Sequence, residues 1–157
     1  YRFDWDEQPS ILGMDFSFLL GAGHGLEIPF VMGDFDFGRQ TRFLFTKKNE
    51  YERNKLSEII MQYWTHFAKE GYPSNESDNI TQWEKWPKGG INQNRIMILD
   101  TEQSNAPRMS NGYVPHNKLV SIFENDERSL KVDNKCSFFE DVFSWVDNWK
   151  IKNNVCQ

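Results

Sequence analysis

Residues 49–73, with the sequence NEYERNKLSEIIMQYWTHFAKEGYP, carry the clearest structural signal in this chain of 157 residues. Apolar side chains recur there at the spacing of one helix face: Leu56, Ile59, Ile60, Tyr63, Trp64, Phe67 and Ala68. Asn49 and Glu52 are spaced for a capping box, and Gly71 with Pro73 supplies a stop signal. The pattern predicts an α-helix that buries one face against a sheet.

The residues before this helix predict a short strand and a long structured loop. Aromatic and polar side chains alternate over residues 1–5, as in a strand, and Pro9 then ends any regular ladder. Residues 10–38 are rich in Gly and Phe. They are too rich in glycine for a helix interior and too apolar for a solvated linker. We therefore expect a structured, partly buried loop, the kind of segment that often carries function.

The residues after the helix predict one more strand and one more helix. Residues 95–100 indicate a short strand, and residues 137–150 an amphipathic helix. Residues 101–134 are polar, with a short strand or helix expected near 119–123. One or two strands cannot build a doubly wound sheet. The expected fold class is α/β, with this chain completing a sheet built mainly by other residues. The first residues lack a starting Met, which also favours a processed chain or a fragment.

Composition narrows the possible partners. The chain is 38% hydrophobic and 26% charged, with a formal net charge of −5. This acidic balance argues against nucleic acid or an anionic membrane as partner, since both need clustered Lys and Arg. No run of 18 apolar residues exists, so the sequence predicts no membrane span. The first residues also lack the features of a signal peptide.

Two kinds of modification stay open from the sequence. Cys136 and Cys156 could pair with each other, pair with cysteines elsewhere, or stay reduced. Asn75 and Asn79 each begin a triplet that fits the glycosylation acceptor pattern, but such triplets also arise by chance.

The segment from Gly21 to Gly33, GAGHGLEIPFVMG, holds the best candidate for chemistry. His24 lies between two glycines, so its imidazole can project from a loop tip into a cleft, as general-base catalysis requires. Glu27 stands in an otherwise apolar run, where a buried carboxylate must be paired or hydrogen-bonded. The alternatives are a surface histidine in a glycine-rich turn and a solvated glutamate.

Other polar candidates favour ordinary structural roles. His66 falls on the more polar side of the predicted helix, and His116 lies in a polar stretch, so both are expected to be solvated. Three widely spaced histidines do not predict a zinc site. Asp4, Asp6 and Glu7 lack the spacing of a calcium loop and are expected at a solvated strand end. Four apolar residues just before the histidine are the candidates for a substrate-pocket wall: Phe16, Phe18, Leu19 and Leu20.

Residues 21–33 resemble the histidine loop of the type-B carboxylesterase and cholinesterase family, Gly-x-x-His-Gly-x-Glu-x-x-Phe-Val-x-Gly. The matching positions are Gly21, His24, Gly25, Glu27, Phe30, Val31 and Gly33. Residues 63–73 resemble the family's Tyr-Trp-x-x-Phe-Ala-x-x-Gly-x-Pro signature, and Trp83, Trp86 and the strand at 95–100 follow in the family's order. Residues 135–139 are similar to a later Cys-x-Phe-Trp stretch, with Phe in place of Trp. Residues 103–134 look like an insertion.

The resemblance implies that residues 1–157 are the C-terminal segment of one α/β-hydrolase catalytic domain. It implies a Ser–Glu–His triad acting on a small-molecule ester, with His24 as general base and with Gly25 and Glu27 as structural support. Because the chain lacks Gly-x-Ser-x-Gly, the serine and the acid are expected upstream, in an N-terminal part of the same esterase. This chain alone is expected to be inactive. No metal or organic cofactor is implied.

The alternative function is a non-catalytic adhesion or interaction protein, since some members of this family lost the nucleophile. Reading the residue at the upstream nucleophile position would discriminate the two. The family and the two late cysteines favour a secreted or periplasmic location.

Overall fold

The computed structural model describes residues 1–39, 41–74, 79–88, 93–112, 114–126 and 134–143. The chain divides into two compact units, Tyr1–Tyr113 and Val114–Gln157. The expectation of a single domain with an insertion at 103–134 stays a prediction.

The first unit contains five short strands, three α-helices and one 3₁₀ turn among its described residues. In chain order they are β1 (Arg2–Phe3), β2 (Ser10–Ile11), β3 (Met14–Asp15), α1 (Phe16–Leu20), α2 (Ile28–Met32), α3 (Glu50–Glu70), β4 (Ile96–Leu99), a 3₁₀ turn (Glu102–Ser104) and β5 (Arg108–Ser110). The second unit contains α4 (His116–Asn125) and α5 (Lys135–Phe143).

One three-stranded sheet organises the first unit, in the order β1-β4-β5. β1 runs parallel to β4, with Arg2 opposite Ile98, and β5 runs antiparallel to β4. The strand predicted at 95–100 is confirmed, and the one predicted at 1–5 is shorter than expected. The Asp4 amide still donates to the Leu99 carbonyl at 2.9 Å. β5 was not predicted, because its segment is polar and its pairing depends on β4.

The predicted helix is confirmed as α3. Leu56, Ile60 and Tyr63 are buried, as the stripe predicts. Gly71 ends the helix at φ 79, with its amide donating to the Phe67 carbonyl at 2.9 Å. The last turn differs from the prediction, because the side chain of Phe67 is 59% exposed. The apolar stripe therefore packs over most of α3 but not over its end.

The predicted capping box is wrong. The Asn49 side chain makes no hydrogen bond that caps α3. Its Oδ1 instead accepts from the Thr46 amide at 3.0 Å and from Arg53 Nη1 at 2.5 Å. Its Nδ2 donates to the carbonyl oxygens of Leu44, at 2.8 Å, and Glu7, at 2.9 Å. Both ends of the amide are thus used to fasten the preceding loops to the helix.

The core of the first unit lies between the sheet and α3. It consists of Trp5, Phe30, Leu56, Ile60, Tyr63, Met97 and Leu99. Phe30 of α2 is at its centre: its ring centroid lies 5.0 Å from those of Phe3 and Trp5 and 5.1 Å from that of Phe35. The segment that follows the histidine is therefore anchored in the core.

The loop predicted at 10–38 contains more regular structure than expected. A small antiparallel hairpin of β2 and β3 is followed by two five-residue helices, α1 and α2. Short helices fit within this glycine-rich segment because Gly21 and Gly33 lie at the helix ends, where glycine is favoured, and not in the helix interiors. Burial is uneven, since Phe30 is fully buried whereas Phe18 is 91% exposed.

The second unit has its own small core. Val120, Phe139 and Phe143 are buried there, with Phe123 packed against them. The strand or helix expected near 119–123 is a helix, α4. α5 confirms the start of the helix predicted at 137–150, although it begins at Lys135, and residues from 144 onward lie outside the described residues.

Cys136 is disulfide-bonded, whereas Cys156 lies outside the described residues. Of the two possible glycosylation sites, Asn75 also lies outside the described residues, and Asn79 is exposed.

Across the described part of the chain, no helix combines the length and the apolar character needed to cross a membrane.

Candidate active site

The segment between α1 and α2 forms a tight turn that presents His24. α1 ends at Gly21, whose φ of 49° and ψ of −143° suit only glycine. The Leu26 amide donates to the Gly23 carbonyl at 3.1 Å, and the Ile28 amide to the Gly25 carbonyl at 3.2 Å. The first of these overlapping turns contains His24, and the second begins at the next residue. We call residues 21–27 the histidine loop.

The side chain of His24 is exposed, as expected for an imidazole that projects from a loop. It forms no side-chain hydrogen bond with the described part of the chain. Its catalytic role stays a prediction.

Glu27 closes the histidine loop instead of contacting the imidazole. Its Oε2 accepts a hydrogen bond from the Gly25 amide at 2.9 Å, and its carbonyl accepts from the Val31 amide at 3.1 Å. Gly25 has a φ of 88°, which glycine adopts without a side-chain clash. The Glu27 carboxylate therefore stabilises the turn that contains Gly25. The role of these two residues as support for a catalytic site stays a prediction.

The C-terminal side of the histidine loop is held by α3. Ser57 Oγ donates to the Phe30 carbonyl at 2.8 Å in a buried position. α2 ends at Gly33, where φ is 66° and an added Cβ would lie 2.7 Å from Met61 Sδ. Glycine at this position therefore allows both the turn and the close approach of α2 to α3.

The N-terminal side is held by a residue that sequence reasoning missed. Gln8 is 5% exposed, and its Nε2 donates to the Gly21 carbonyl at 2.7 Å. No periodicity or motif singles out Gln8, because its role depends on a contact thirteen residues away.

The four residues predicted as pocket wall differ in exposure. Phe16 is half-buried, with its ring centroid 4.9 Å from that of Phe43. Phe18, Leu19 and Leu20 are 91%, 63% and 41% exposed. These three side chains lie just before the histidine loop and are exposed in this chain. Their role in a substrate pocket stays a prediction.

A separate apolar cavity lies near the C-terminal end of α3. It has a volume of about 490 Å³, and aromatic side chains such as Trp64, Trp83 and Trp86 line it. No residue of the histidine loop is among its lining residues. The cavity is therefore distinct from the candidate active site.

His66 does not belong to the histidine loop. His66 was expected to be solvated, but it is half-buried, with Nδ1 hydrogen-bonded to the Tyr72 carbonyl at 2.6 Å. Only a protonated Nδ1 can donate to a carbonyl, so this contact sets the tautomer. The prediction for the His116 side chain lies outside what the structure describes.

Of the three acidic residues near β1, Asp6 is exposed as expected, whereas Asp4 and Glu7 have protein partners. Asp4 accepts hydrogen bonds from the Arg2 guanidinium at 2.6 to 2.9 Å, and Glu7 Oε1 accepts from Thr101 Oγ1 at 2.5 Å. Burial raises the pKa of Asp100, against an opposing hydrogen bond from the Thr101 amide. Among the described residues, no group of three or more His, Cys, Asp or Glu side chains is arranged to hold a metal ion.

Comparison with known proteins places this site in context. Acetylcholinesterase of Danio rerio is 29% identical over 143 residues, which cover 83% of this chain and 20% of the relative. Acetylcholinesterase 1 of Caenorhabditis elegans is 32% identical over 105 residues, which cover 67% of this chain and 16% of the relative. Para-nitrobenzyl esterase of Bacillus subtilis (strain 168) is 34% identical over 103 residues, which cover 65% of this chain and 18% of the relative. The chain thus spans about a fifth of the length of these relatives.

No solved structure matches the chain. The family model described as the carboxylesterase family matches residues 1–117, a range that contains the histidine loop, α3 and the whole three-stranded sheet. This family implies the α/β-hydrolase fold, with which a mixed structure containing a partial sheet is consistent. The chain belongs to the carboxylesterase family.

Proposed function

We propose that this chain is the C-terminal part of a serine carboxylesterase and that His24 is its general base. One observation carries the proposal: an exposed histidine stands at the tip of a turn whose flanks are hydrogen-bonded to buried residues. A general base needs this combination of an accessible ring and a fixed backbone.

In the proposed reaction, His24 accepts the proton of a serine hydroxyl as the serine oxygen attacks the ester carbonyl. The imidazolium then gives that proton to the leaving alcohol as the tetrahedral intermediate collapses to an acyl-enzyme. Water attacks the acyl group with His24 again as base, and the proton returns to the serine. A glutamate outside this chain would orient the imidazole. Glu27 is not that glutamate, because its Oε2 accepts from the Gly25 amide.

The partner in this proposal is the N-terminal part of the same esterase, which would carry the serine and the acid. The sheet supports this assignment. β1 lies at its edge, and it pairs in parallel with β4. Parallel strands are normally found inside larger sheets covered on both faces. We therefore propose that further strands pair with the free edge of β1, and that the chain by itself is inactive.

The proposed substrate is a small carboxylic ester. The names of the relatives, acetylcholinesterase and para-nitrobenzyl esterase, support this class without specifying the acyl or alcohol group. We also propose a secreted or periplasmic location, because the disulfide at Cys136 is typical of oxidising compartments.

The test is esterase activity of the complete polypeptide carrying His24→Ala. Because the base is lost, kcat/KM for a short ester should fall by about 10⁴-fold or more. His66→Ala is the matched control, since its ring contacts Tyr72 and it should leave activity unchanged. Full activity of the His24→Ala variant would reject the proposal. A protein in which neither variant nor wild type hydrolyses any ester would favour the non-catalytic alternative.

A further inference from the structure

We infer that Gln8 is a positioning residue for His24, an inference that rests on the proposed function. The Gln8 side chain donates one hydrogen bond, from Nε2 to the Gly21 carbonyl at 2.7 Å. Gly21 is the first residue of the histidine loop and lies three residues before His24. Gln8 thereby fixes the point at which the loop leaves α1.

The backbone next to Gln8 is itself held in place. The Glu7 carbonyl accepts from Asn49 Nδ2 at 2.9 Å, and Glu7 Oε1 accepts from Thr101 Oγ1 at 2.5 Å. Asn49 precedes α3, and Thr101 follows β4 by two residues. The long helix and the sheet thus both fix the segment that carries Gln8, and its amide extends this framework to the loop.

The contact matters because α1 contributes little packing of its own. None of its five residues is buried. Its N-terminus is capped locally by Asp15, whose Oδ1 accepts from the Ser17 amide at 2.9 Å. A short exposed helix opens at low free-energy cost unless longer-range contacts restrain it. The bond from buried Gln8 is such a contact, and it acts where φ and ψ of Gly21 set the direction of the loop.

The orientation of the Gln8 amide follows from its partners. A carbonyl can only accept, so the amide nitrogen must face Gly21. Gln8 Oε1 is buried and has no hydrogen-bond partner among the described residues. A methionine at this position would keep the length of the side chain and remove both the donor and the unpaired oxygen. Removing an unpaired buried oxygen offsets part of the loss of the hydrogen bond, so Gln8→Met separates positioning from stability.

The experiment compares Gln8→Met with Gln82→Met in the complete esterase. Gln82 is the matched control, because its Nε2 donates to Ser74 Oγ at 3.0 Å, a contact that does not involve the histidine loop. For Gln8→Met we expect kcat to fall by about 10-fold to 100-fold with KM within about twofold of wild type, since misplacement of a catalytic group slows the reaction step. The rate of labelling by an organophosphonate should fall by the same factor. Gln82→Met should match wild type in both kcat and the rate of labelling.

Thermal unfolding provides the second readout. We expect the midpoint for Gln8→Met to lie within about 3 °C of wild type, because loss of the unpaired oxygen offsets part of the lost hydrogen bond. If Gln8→Met does not fold, Gln8→Leu also removes the donor to the Gly21 carbonyl and introduces no buried charge. The same loss of kcat is then expected.

Equal kcat for Gln8→Met and Gln82→Met would overturn the inference, as would a rise in KM with unchanged kcat. The proposed function has its own test in His24→Ala. If His24→Ala is inactive but Gln8→Met has normal kcat, only the positioning inference fails. If His24→Ala is fully active, the proposed function fails.

Discussion

The two helices that flank His24 differ in how this chain holds them. α2 buries Phe30 in the centre of the core, and Ser57 binds its backbone. α1 has no buried residue, and Phe18 is 91% exposed. On the α1 side, the Phe16 ring contacts that of Phe43, and the Gln8 amide donates to the Gly21 carbonyl. Core packing therefore holds the α2 side of the histidine loop, whereas on the α1 side a hydrogen bond from Gln8 holds Gly21 and several apolar side chains stay exposed.

This difference indicates that α2 contributes mainly to core packing, whereas the exposed side chains of α1 are candidates for contact with a ligand or a partner. Apolar side chains stabilise a fold when they are removed from water, and those that stay exposed near a site commonly contact a ligand or a partner. Phe18 and Phe30 each lie three residues from an end of the histidine loop. Phe18 is nevertheless almost fully exposed, whereas Phe30 is fully buried. Substitutions in the two helices should therefore have different consequences.

Phe30→Ala should have the largest effect on stability. The ring is fully buried against Phe3 and Trp5, and removing it leaves a cavity at the core centre. We expect a loss of about 3–5 kcal/mol in the free energy of unfolding, measured by urea denaturation of the complete esterase. A loss below about 1 kcal/mol would show that α2 is not docked as described.

Gly33→Ala should have an intermediate effect. Alanine at φ 66° is strained, and its Cβ would displace the Met61 side chain. We expect a loss of about 1–2 kcal/mol in the same denaturation experiment. Gly38→Ala is the control, since Gly38 has a φ of 85° with nothing within 4 Å of an added Cβ. A smaller loss at Gly33 than at Gly38 would contradict the close approach of α2 to α3.

Phe18→Ala should have the smallest effect on stability and a larger effect on the KM for substrate. For an exposed side chain we expect a change within about 0.5 kcal/mol in the free energy of unfolding. If Phe18 lines the substrate pocket, KM for an apolar ester should rise by about tenfold. An unchanged KM would reject Phe18 as pocket wall, and a stability loss as large as that of Phe30→Ala would remove the contrast between the two helices.

The sequence predicted those parts of the fold that depend on local pattern. The stripe from Leu56 to Tyr63 located α3, and the apolar run at 95–100 located β4. The capping box failed because a local pattern did not reveal that Asn49 binds Glu7 and Leu44. Gln8 and β5 were missed for the same reason, since their partners are distant along the chain.

The site was predictable in part. His24 between two glycines indicated an exposed imidazole, and Glu27 in an apolar run indicated a paired carboxylate. The structure shows the exposure of the first and supplies the Gly25 amide as the partner of the second. Which surface faces the imidazole could not be predicted, because the expected serine and acid lie outside these residues.

The most direct test of the account is to identify the residue that an organophosphonate modifies in the complete esterase. After labelling, mass spectrometry should find the phosphonyl group on one serine outside these 157 residues. In the His24→Ala variant, that serine should stay unmodified over the same time, whereas it should be labelled normally in His66→Ala. Modification of a residue within this chain, or undiminished labelling of the His24→Ala variant, would contradict the claim that His24 serves a serine supplied from elsewhere.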